Sequence, residues 1–189
     1  MSSSRTAYHH GDLAHALETA AMRLLADKPA HDISLREVAR AADVSHNAPY
    51  HHFSDRLGLL KALAERSMGE LVAAVTSAVD AAEDPTAALI DGGATYIRFA
   101  VERPHAFDVI YDPTVCLPGS PTPTMAPLIA ELETVLGTVA ARAGLARPDD
   151  LVGLWGLVHG LGTLCAAGHF TLDAASSAFS SAIARMLSR

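Results

Sequence analysis

The chain has 189 residues, of which half are hydrophobic and only 5% are aromatic, and its formal net charge is −7. This composition provides a core of small apolar side chains for one or two domains, and the overall acidity excludes a generally basic nucleic-acid coat. The charge is unevenly distributed. Residues 1–66 hold eight Lys/Arg and eight Asp/Glu, whereas residues 67–189 hold six and thirteen. The two parts are therefore expected to meet different partners.

The cysteines and the apolar segments indicate a cytoplasmic protein. Cys116 and Cys165 have neither a CxxC spacing nor a metal-ligand spacing, which is typical of reduced thiols in the cytoplasm. The N-terminal sequence lacks an apolar run behind a positive charge, so we expect no signal peptide. No apolar stretch reaches 18 residues without a polar interruption, so we expect no membrane span.

The first third of the chain predicts three short helical units. Apolar residues at helical spacing predict a first helix from about residue 10 to 27. The sequence SLRE at 34–37 is a capping box that starts a short second helix. Asp43 then lies in a tight turn that favours a positive φ, and Ser45 is a suitable N-cap for a third helix. Pro49 would stiffen the first turn of that helix.

The rest of the chain predicts six further helices. Ser54 and Asp55 cap a fourth helix that runs to about residue 80, and Asp84 with Pro85 starts the next one. Four prolines in residues 112–123 predict a loop. Gly144 and Gly168 are expected to stop two later helices. Because no period-2 pattern competes, we predict an all-α fold of nine helices, the last five at about residues 85–102, 104–111, 125–143, 148–167 and 173–187.

Residues 34–53 combine a capped helix, a tight turn and a second short helix, which is the pattern of a helix-turn-helix. The second helix of that motif lies in the major groove with its first residues at the base edges. There His46 can donate to guanine or phosphate, Asn47 can bond adenine twice, and the Ala48 methyl group can contact thymine. Arg36 can reach a guanine or a phosphate, although a solvated surface charge is the alternative for this residue.

A second group of side chains is placed to hold DNA phosphates rather than to identify bases. It comprises Ser34, Tyr50, His51, Arg56 and Lys61. The start of the fourth helix adds backbone N–H groups for the same strand. Packing in the core is the alternative for Tyr50. The predicted partner of this region is double-stranded DNA.

Aromatic residues in the C-terminal two-thirds are candidates for lining a ligand pocket, together with one histidine: Tyr96, Phe99, Phe107, Tyr111, Trp155 and His159. Aromatic residues at helical spacing usually belong to the core, so packing is the alternative for each. His159 lies one turn after Trp155, where it could contact a ligand, bridge two subunits or be a hydrogen-bonded core histidine. Cys116 could be a redox sensor, although its sequence neighbours include no cation that would lower its pKa.

No metal site and no cofactor are predicted. Zinc binding by His9, His10, His51 and His52 is an alternative that the spacing disfavours. Adjacent histidines on a helix point in different directions, and no Cys or carboxylate joins them at a metal-ligand spacing. His52 is expected instead to pack or hydrogen-bond inside the small domain, and Phe53 to lie in the core.

An enzyme and a protein-binding adaptor are the competing functional classes. The sequence contains no Ser/His/Asp spacing, no GxSxG, no phosphate-binding glycine loop and no HExxH, so no enzymatic activity is predicted. A helical adaptor would not need the turn chemistry at residues 42–45 or the exposed donors Arg36 and Tyr50.

The segment ISLREVARAADVSHNAPYHHFSDRLGLLKAL (33–63) resembles the DNA-binding domain of TetR-family transcriptional regulators. YHHGDLAHALETAAMRLLAD (8–27) is similar to the first helix of one branch of that family. LWGLVHGLGTLCAAGH (154–169) resembles a C-terminal domain type named for its Trp, His and Gly, with YIRFAVERPHAFDVIY (96–111) as its middle. Asp43 departs from the pattern because the family usually has Gly there, which predicts a modest loss of stability.

The resemblance implies a ligand-responsive transcriptional regulator, a repressor that a small molecule releases from its operator. It divides the chain into a DNA-binding domain, residues 1–54, and a regulatory and dimerisation domain, residues 55–189. The implied homodimer places two DNA-binding domains in successive major grooves, and the last two long helices of each subunit form a four-helix interface. Residues 151–168 are apolar nearly all round, as expected for a helix covered on two sides.

Overall fold

The computed structural model describes the backbone of residues 4–188 and the side chains of residues 13–188. Within that part the fold is all-α, with no strand. Two 3₁₀ turns lie at Ala30–Asp32 and Ala48–His51. The eight α-helices are α1 (Ser4–Asp27), α2 (Leu35–Ala41), α3 (Arg56–Ala81), α4 (Pro85–Glu102), α5 (Pro104–Tyr111), α6 (Met125–Arg142), α7 (Pro148–Ala166) and α8 (Leu172–Leu187).

The predicted all-α class is confirmed, but the count of nine α-helices is wrong. The segment predicted as the third helix contains only a 3₁₀ turn, Ala48–His51. Pro49 has no N–H to donate to the carbonyl of Ser45, and that carbonyl instead accepts from Ala48 at 2.9 Å, one residue earlier. The predicted cap at Ser45 is also wrong, since Asn47 is the residue that precedes the turn and no side chain caps it.

The other predicted helix starts follow the capping chemistry of the sequence. The capping box is present, with the Ser34 hydroxyl accepting from the Glu37 N–H and the Glu37 carboxylate accepting from the Ser34 N–H. Hydrogen bonds from Lys28 and Ser34 lower the pKa of Glu37 to about 2. Asp55 and Asp84 cap α3 and α4 as expected, and Thr171 caps α8.

The turn after α2 has the backbone conformation that the sequence predicts. Asp43 has a φ of 53°, and it is the only residue other than glycine with a positive φ in the described part of the chain. Its N–H donates to the Arg40 carbonyl, and the next N–H, of Val44, donates to the Ala39 carbonyl. An L residue is disfavoured in this left-handed region, and Asp tolerates it better than most.

Replacing Asp43 with Gly is expected to stabilise the protein by about 0.5–1 kcal/mol, because glycine adopts a positive φ without a steric cost. Urea unfolding monitored by circular dichroism measures the change. Asp91→Gly is the matched control, since Asp91 is exposed in the middle of α4. That change should destabilise the protein by about 0.3 kcal/mol. Equal effects of the two substitutions would contradict the strain assigned to Asp43.

The core of the C-terminal part is built around α4. This helix packs against α3, α5, α6, α7 and α8. Tyr96, Ile97 and Ala100 on α4 are almost completely buried, and Gly93 lies directly against the ring of Phe179 on α8. The close approach of α4 and α8 therefore depends on the missing side chain at position 93.

The structure contains no helix of the length and hydropathy needed to cross a membrane, as judged over residues 4–188.

Candidate DNA interface and effector cavity

Residues 45–53, which we call the recognition segment, are anchored to the protein along one side. Ala48, Pro49 and Phe53 are buried, and the His52 ring lies edge-on against the ring of Phe53. His52 also contacts the Glu18 carboxylate on α1, with 3.1 Å between Nε2 and Oε1. The predicted role of Phe53 in the core is therefore confirmed. His52 is hydrogen-bonded as predicted, but it is exposed and not enclosed inside the domain. These contacts fix the orientation of the segment.

The other side of the recognition segment is open to solvent. His46, Asn47 and His51 are exposed, and Tyr50 keeps 54% of its accessible surface. The alternative that Tyr50 packs in the core is therefore wrong. Arg36 is exposed on α2, which packs against the recognition segment. The surface of α2 and the recognition segment thus presents five of the nine predicted DNA-contacting side chains.

Ala48 and Ser34 are two of the remaining four residues, and each has its side chain in contact with other groups of the protein. Ala48 keeps only 8% of its accessible surface, so its methyl group packs inward instead of pointing to a base. This burial disfavours the predicted contact of Ala48 with a thymine methyl group. The Ser34 hydroxyl is used in the capping box, where it bonds both the N–H and the carboxylate of Glu37. A phosphate would have to replace one of these bonds.

The two predicted phosphate contacts on α3, Arg56 and Lys61, lie close to other parts of the protein. The Arg56 guanidinium donates to the carbonyl oxygens of His31 and Ile33, and its Nε lies 3.2 Å from the latter. It therefore ties the start of α3 to the loop before α2. Lys61 lies with Glu65 in a small cleft beside residues 115–122, which belong to the loop between α5 and α6. Lys61 therefore lies beside a loop of the C-terminal part of the chain.

The histidines provide no metal site within the described side chains. No group of three or more His, Cys, Asp or Glu suited to hold a metal ion is found there. His51 is exposed, and His52 is paired with Glu18. His9 and His10 lie outside the residues whose side chains the structure describes.

A cavity of about 500 Å³ lies among the C-terminal helices. Its walls are formed by α3, α5, α6, α7 and the loop at residues 116–121. The lining is predominantly apolar, with Met68, Ile129, Leu132 and Leu136 as examples. A cavity of this size and character suits a small organic molecule.

Only two of the six predicted pocket residues, Tyr111 and Trp155, line this cavity. The other four belong to the core or to a polar cluster behind the cavity wall. Tyr96, Phe99 and Phe107 keep at most 7% of their accessible surface. His159 is half-buried, with its ring stacked on that of Phe107 at a centroid distance of 5.4 Å. The predicted ligand contacts of these four residues are therefore wrong for the cavity as it stands.

Three of these side chains form a hydrogen-bonded cluster that ends at the cavity. The Tyr96 hydroxyl lies 3.0 Å from Nδ1 of His159 and 2.6 Å from the Tyr111 hydroxyl. Burial raises the pKa of Tyr96, and the neighbouring Tyr111 adds to this effect. Burial also raises the pKa of Tyr111, and the hydrogen bond with Tyr96 opposes this effect. Burial lowers the pKa of His159, so the whole cluster is uncharged near neutral pH.

Cys116 lines the cavity but lacks the environment of a reactive thiol. Burial raises its pKa, and the carboxylates of Glu65 and Asp112 add to this effect. Lys61 opposes the shift but does not reverse it. Because the thiolate is the reactive form, this environment disfavours the redox-sensor alternative.

A second exposed feature is one face of α7. Val152, Gly156, Gly160 and Leu164 recur every four residues and define what we call the α7 face. Val152 keeps 70% and Leu164 keeps 42% of the accessible surface. A Cβ atom added at Gly156 or Gly160 would meet no atom within 4 Å. The α7 face is therefore apolar and exposed in the single chain, and it has no side chains at its two central positions.

Several cavity residues were not predicted from the sequence, above all Met68, Leu117, Ile129, Leu132 and Leu136. They occupy apolar positions of α3, of α6 and of the proline-rich loop. Such positions look the same in a sequence whether they face a core or a cavity. The proline-rich loop was the one available signal, since a long irregular connection often borders a binding site.

Comparisons with known proteins agree with this arrangement. Residues 18–63 match the family profile described as "Bacterial regulatory proteins, tetR family". Residues 89–187 match the profile "Tetracyclin repressor-like, C-terminal domain". The chain belongs to the TetR family. None of the curated protein sequences compared with it matches significantly.

Solved structures show the same fold over nearly the whole chain. A protein of unknown function from Rhodococcus sp. RHA1 is 29% identical with a TM-score of 0.80, covering 96% of this chain and 98% of its own. A TetR transcriptional regulator from the same organism is 20% identical with a TM-score of 0.61, covering 94% and 96%. FadR from Bacillus subtilis, solved with stearoyl-CoA, is 13% identical with a TM-score of 0.68, covering 89% and 96%.

Membership of the TetR family gives the general function. TetR-family proteins are ligand-responsive, DNA-binding transcriptional repressors, and they are not a family of enzymes. The helix-turn-helix and the C-terminal helical part of this chain are the two components of that function.

Proposed function

We propose that this TetR-family chain acts as a homodimer whose two recognition segments enter successive major grooves of operator DNA, and that a small molecule in the C-terminal cavity releases it. The observation that carries the proposal is the two-sided recognition segment. Its buried side is fixed by Phe53 and His52, whereas its open side presents His46, Asn47 and Tyr50. A rigidly held and exposed row of hydrogen-bonding groups is what base recognition requires.

The proposed DNA contacts differ in kind. Asn47, His46 and Arg36 are assigned to base edges, while Tyr50 and His51 are assigned to phosphates. Asn47 precedes the 3₁₀ turn and is exposed, so its amide can make two hydrogen bonds to adenine. Arg56 and Ser34 are secondary candidates because their polar groups already hydrogen-bond within the protein. Lys61 is a secondary candidate because it lies in the cleft beside residues 115–122.

The dimer is proposed to form through α7 and α8. The α7 face combines exposed apolar side chains with two glycines, which allows a helix of a second subunit to approach closely. α8 packs beside α7 and presents small exposed residues, among them Ala174, Ser177 and Ala178. An exposed apolar surface of this kind is typical of a protein–protein contact.

The release mechanism is proposed to act through α3, which connects the two parts of the chain. Met68 of α3 lines the cavity, and the Glu65 carboxylate of α3 accepts a hydrogen bond from Thr122 in the adjacent loop. Glu70 of α3 pairs with Arg103 at 2.5 Å, just before α5. An effector that fits better when α3 is displaced would shift the population away from the DNA-binding arrangement.

The substitutions Asn47→Ala and Tyr50→Phe test the assigned contacts by different signatures. Asn47→Ala should remove base preference at one operator position, at a cost of about 1–3 kcal/mol if its contact is bidentate. Tyr50→Phe should instead weaken binding to all sequences to a similar extent. Fluorescence anisotropy with an operator and its single-base variants measures both effects. Glu131→Ala, on an exposed position of α6, is the control. Parental binding by both variants would refute the assignment.

Three finer assignments accompany the proposal. The C-terminal part is assigned to the Trp-His-Gly type on the basis of Trp155, His159 and Gly160 in α7. The boundary between the DNA-binding and regulatory domains is placed between residues 54 and 55, where α3 begins with its Asp55 cap. Because operator DNA of a bacterium lies in the cytoplasm, the protein is assigned to that compartment.

FadR from Bacillus subtilis, which has the same fold, was solved in complex with stearoyl-CoA. That complex is a precedent for an effector with a large apolar part. The apolar lining of the present cavity can contact the apolar part of an effector. The few polar groups of the lining restrict the chemistry of the effector's polar part.

A further inference from the structure

The groups that line the cavity restrict the chemical class of its ligand. Among the described residues of the lining Glu133 is the only charged one, and it is an exposed residue of α6. An anionic ligand group would therefore meet a carboxylate and no cation. Burying an unpaired ionised group costs several kcal/mol, so an anionic group would have to remain in solvent. A cationic group would find only the exposed Glu133 carboxylate as a partner, in a position where solvent screens the pair.

A cation that shares loop neighbours with the cavity is Lys61, which lies in a separate cleft of about 30 Å³. The two spaces share loop residues, among them Cys116 and Leu117, which lie in the lining of both. Glu65 lines the same cleft as Lys61, so the pair carries no net charge. Lys61 is therefore a poor partner for an anion inside the main cavity.

Tyr111 is a residue of the lining, and its hydroxyl belongs to a hydrogen-bonded network. The Tyr111 hydroxyl hydrogen-bonds the Tyr96 hydroxyl, which also hydrogen-bonds His159. The three side chains therefore form a network that connects the core to a residue of the cavity lining. If Nδ1 of His159 accepts from Tyr96, then Tyr111 donates to Tyr96 and its oxygen is free to accept from a ligand. If Nδ1 carries the proton, each bond reverses and Tyr111 donates to the ligand. Either arrangement suits an uncharged hydroxyl or carbonyl group.

We infer that the effector is an uncharged, predominantly apolar molecule with a hydroxyl or carbonyl group that hydrogen-bonds Tyr111. This inference rests on the proposed function, in which the cavity is the effector site. It excludes free carboxylic acids and phosphorylated carriers as the preferred class, although their apolar parts would fit the same lining.

A matched set of ten-carbon probes tests the inference: 1-decanol, decanoate, decylamine and decanoyl-CoA, each with the full-length protein at pH 7.4. Trp155 is the single tryptophan of the chain and lines the cavity, so its fluorescence reports binding directly. 1-Decanol is expected to bind at least about tenfold more tightly than any ionised probe. Tighter binding of decanoate or decanoyl-CoA, or no binding of 1-decanol, would overturn the inference.

Two variants separate the inference from the proposed function. Tyr111→Phe should weaken 1-decanol about 3- to 10-fold without weakening decane, because it removes only the hydroxyl. Equal effects on both compounds would contradict the assigned hydrogen bond. Ile129→Phe, which narrows the cavity, should weaken the binding of every probe. If an ionised probe binds best, and Ile129→Phe weakens both its binding and its release of DNA, the proposed function survives and the inferred class fails. If 1-decanol binds best but no probe releases DNA, the inferred class survives and the release mechanism fails.

Discussion

Gly156→Arg is expected to convert the dimer into a folded monomer and to lower operator affinity by more than about 100-fold. Gly156 lies in the middle of the α7 face, and no atom of its own chain lies within 4 Å of an added Cβ. The subunit therefore accepts the arginine, which is a better helix former than glycine. In a symmetric interface the same change places two bulky cations against each other. A monomer loses the second half-site contact, and the avidity of two linked sites is typically about 10²–10⁴-fold.

Sedimentation velocity and an operator titration measure these two effects together. Ala73→Arg adds the same charge at an exposed position of α3, and it should remain dimeric with parental affinity. Circular dichroism should show equal helix content in both variants. A dimeric Gly156→Arg protein would show that α7 does not form the subunit interface.

Gly93→Ala is expected to destabilise the subunit by about 1–2 kcal/mol. An added Cβ at this position would overlap the Cε1 and Cζ atoms of Phe179, which keeps only 2% of its accessible surface. Forcing a methyl group into a packed core displaces helices and costs about 1–3 kcal/mol or more. The higher helix propensity of alanine offsets up to about 1 kcal/mol of that cost. Denaturant unfolding of the variant at fixed protein concentration measures the net effect.

Gly69→Ala is the matched control, because nothing lies within 4 Å of an added Cβ in that part of α3. It should stabilise the protein by about 0.5–1 kcal/mol. Adding Phe179→Leu to Gly93→Ala should cost less than the sum of the two single changes, since the smaller side chain makes room for the methyl group. Strict additivity would show that the two residues are not in contact.

The helix boundaries were predictable because local chemistry determines them. Asp55, Asp84 and Thr171 cap their helices, and Gly144 and Gly168 have the positive φ that ends a helix. The recognition segment was mispredicted as an α-helix, although its position was correct. The missing N–H of Pro49 favours a 3₁₀ turn there, and the choice between these two helix types depends on how the neighbouring residues pack.

The candidate sites were only partly predictable. Exposure of Asn47 and Tyr50 follows from the helix-turn-helix pattern, whereas the engagement of Arg56 with two backbone carbonyls depends on the path of a distant loop. The cavity shows the same limit. Tyr96 and Tyr111 both belong to the apolar pattern of a core, and only the packing of α4 through α7 decides which of them reaches the cavity.

In the proposed dimer, two recognition segments bind duplex DNA as a symmetric pair. Selection of bound sequences from a randomised duplex library by the purified dimer tests it most directly. The expected product is an inverted repeat whose half-site centres lie about one helical turn apart or a multiple of it, with one base pair that loses its preference in Asn47→Ala. The affinity for that product should fall steeply with salt, as phosphate contacts require. Recovery of no enriched sequence, or of one that the Asn47→Ala protein selects identically, would contradict the claim.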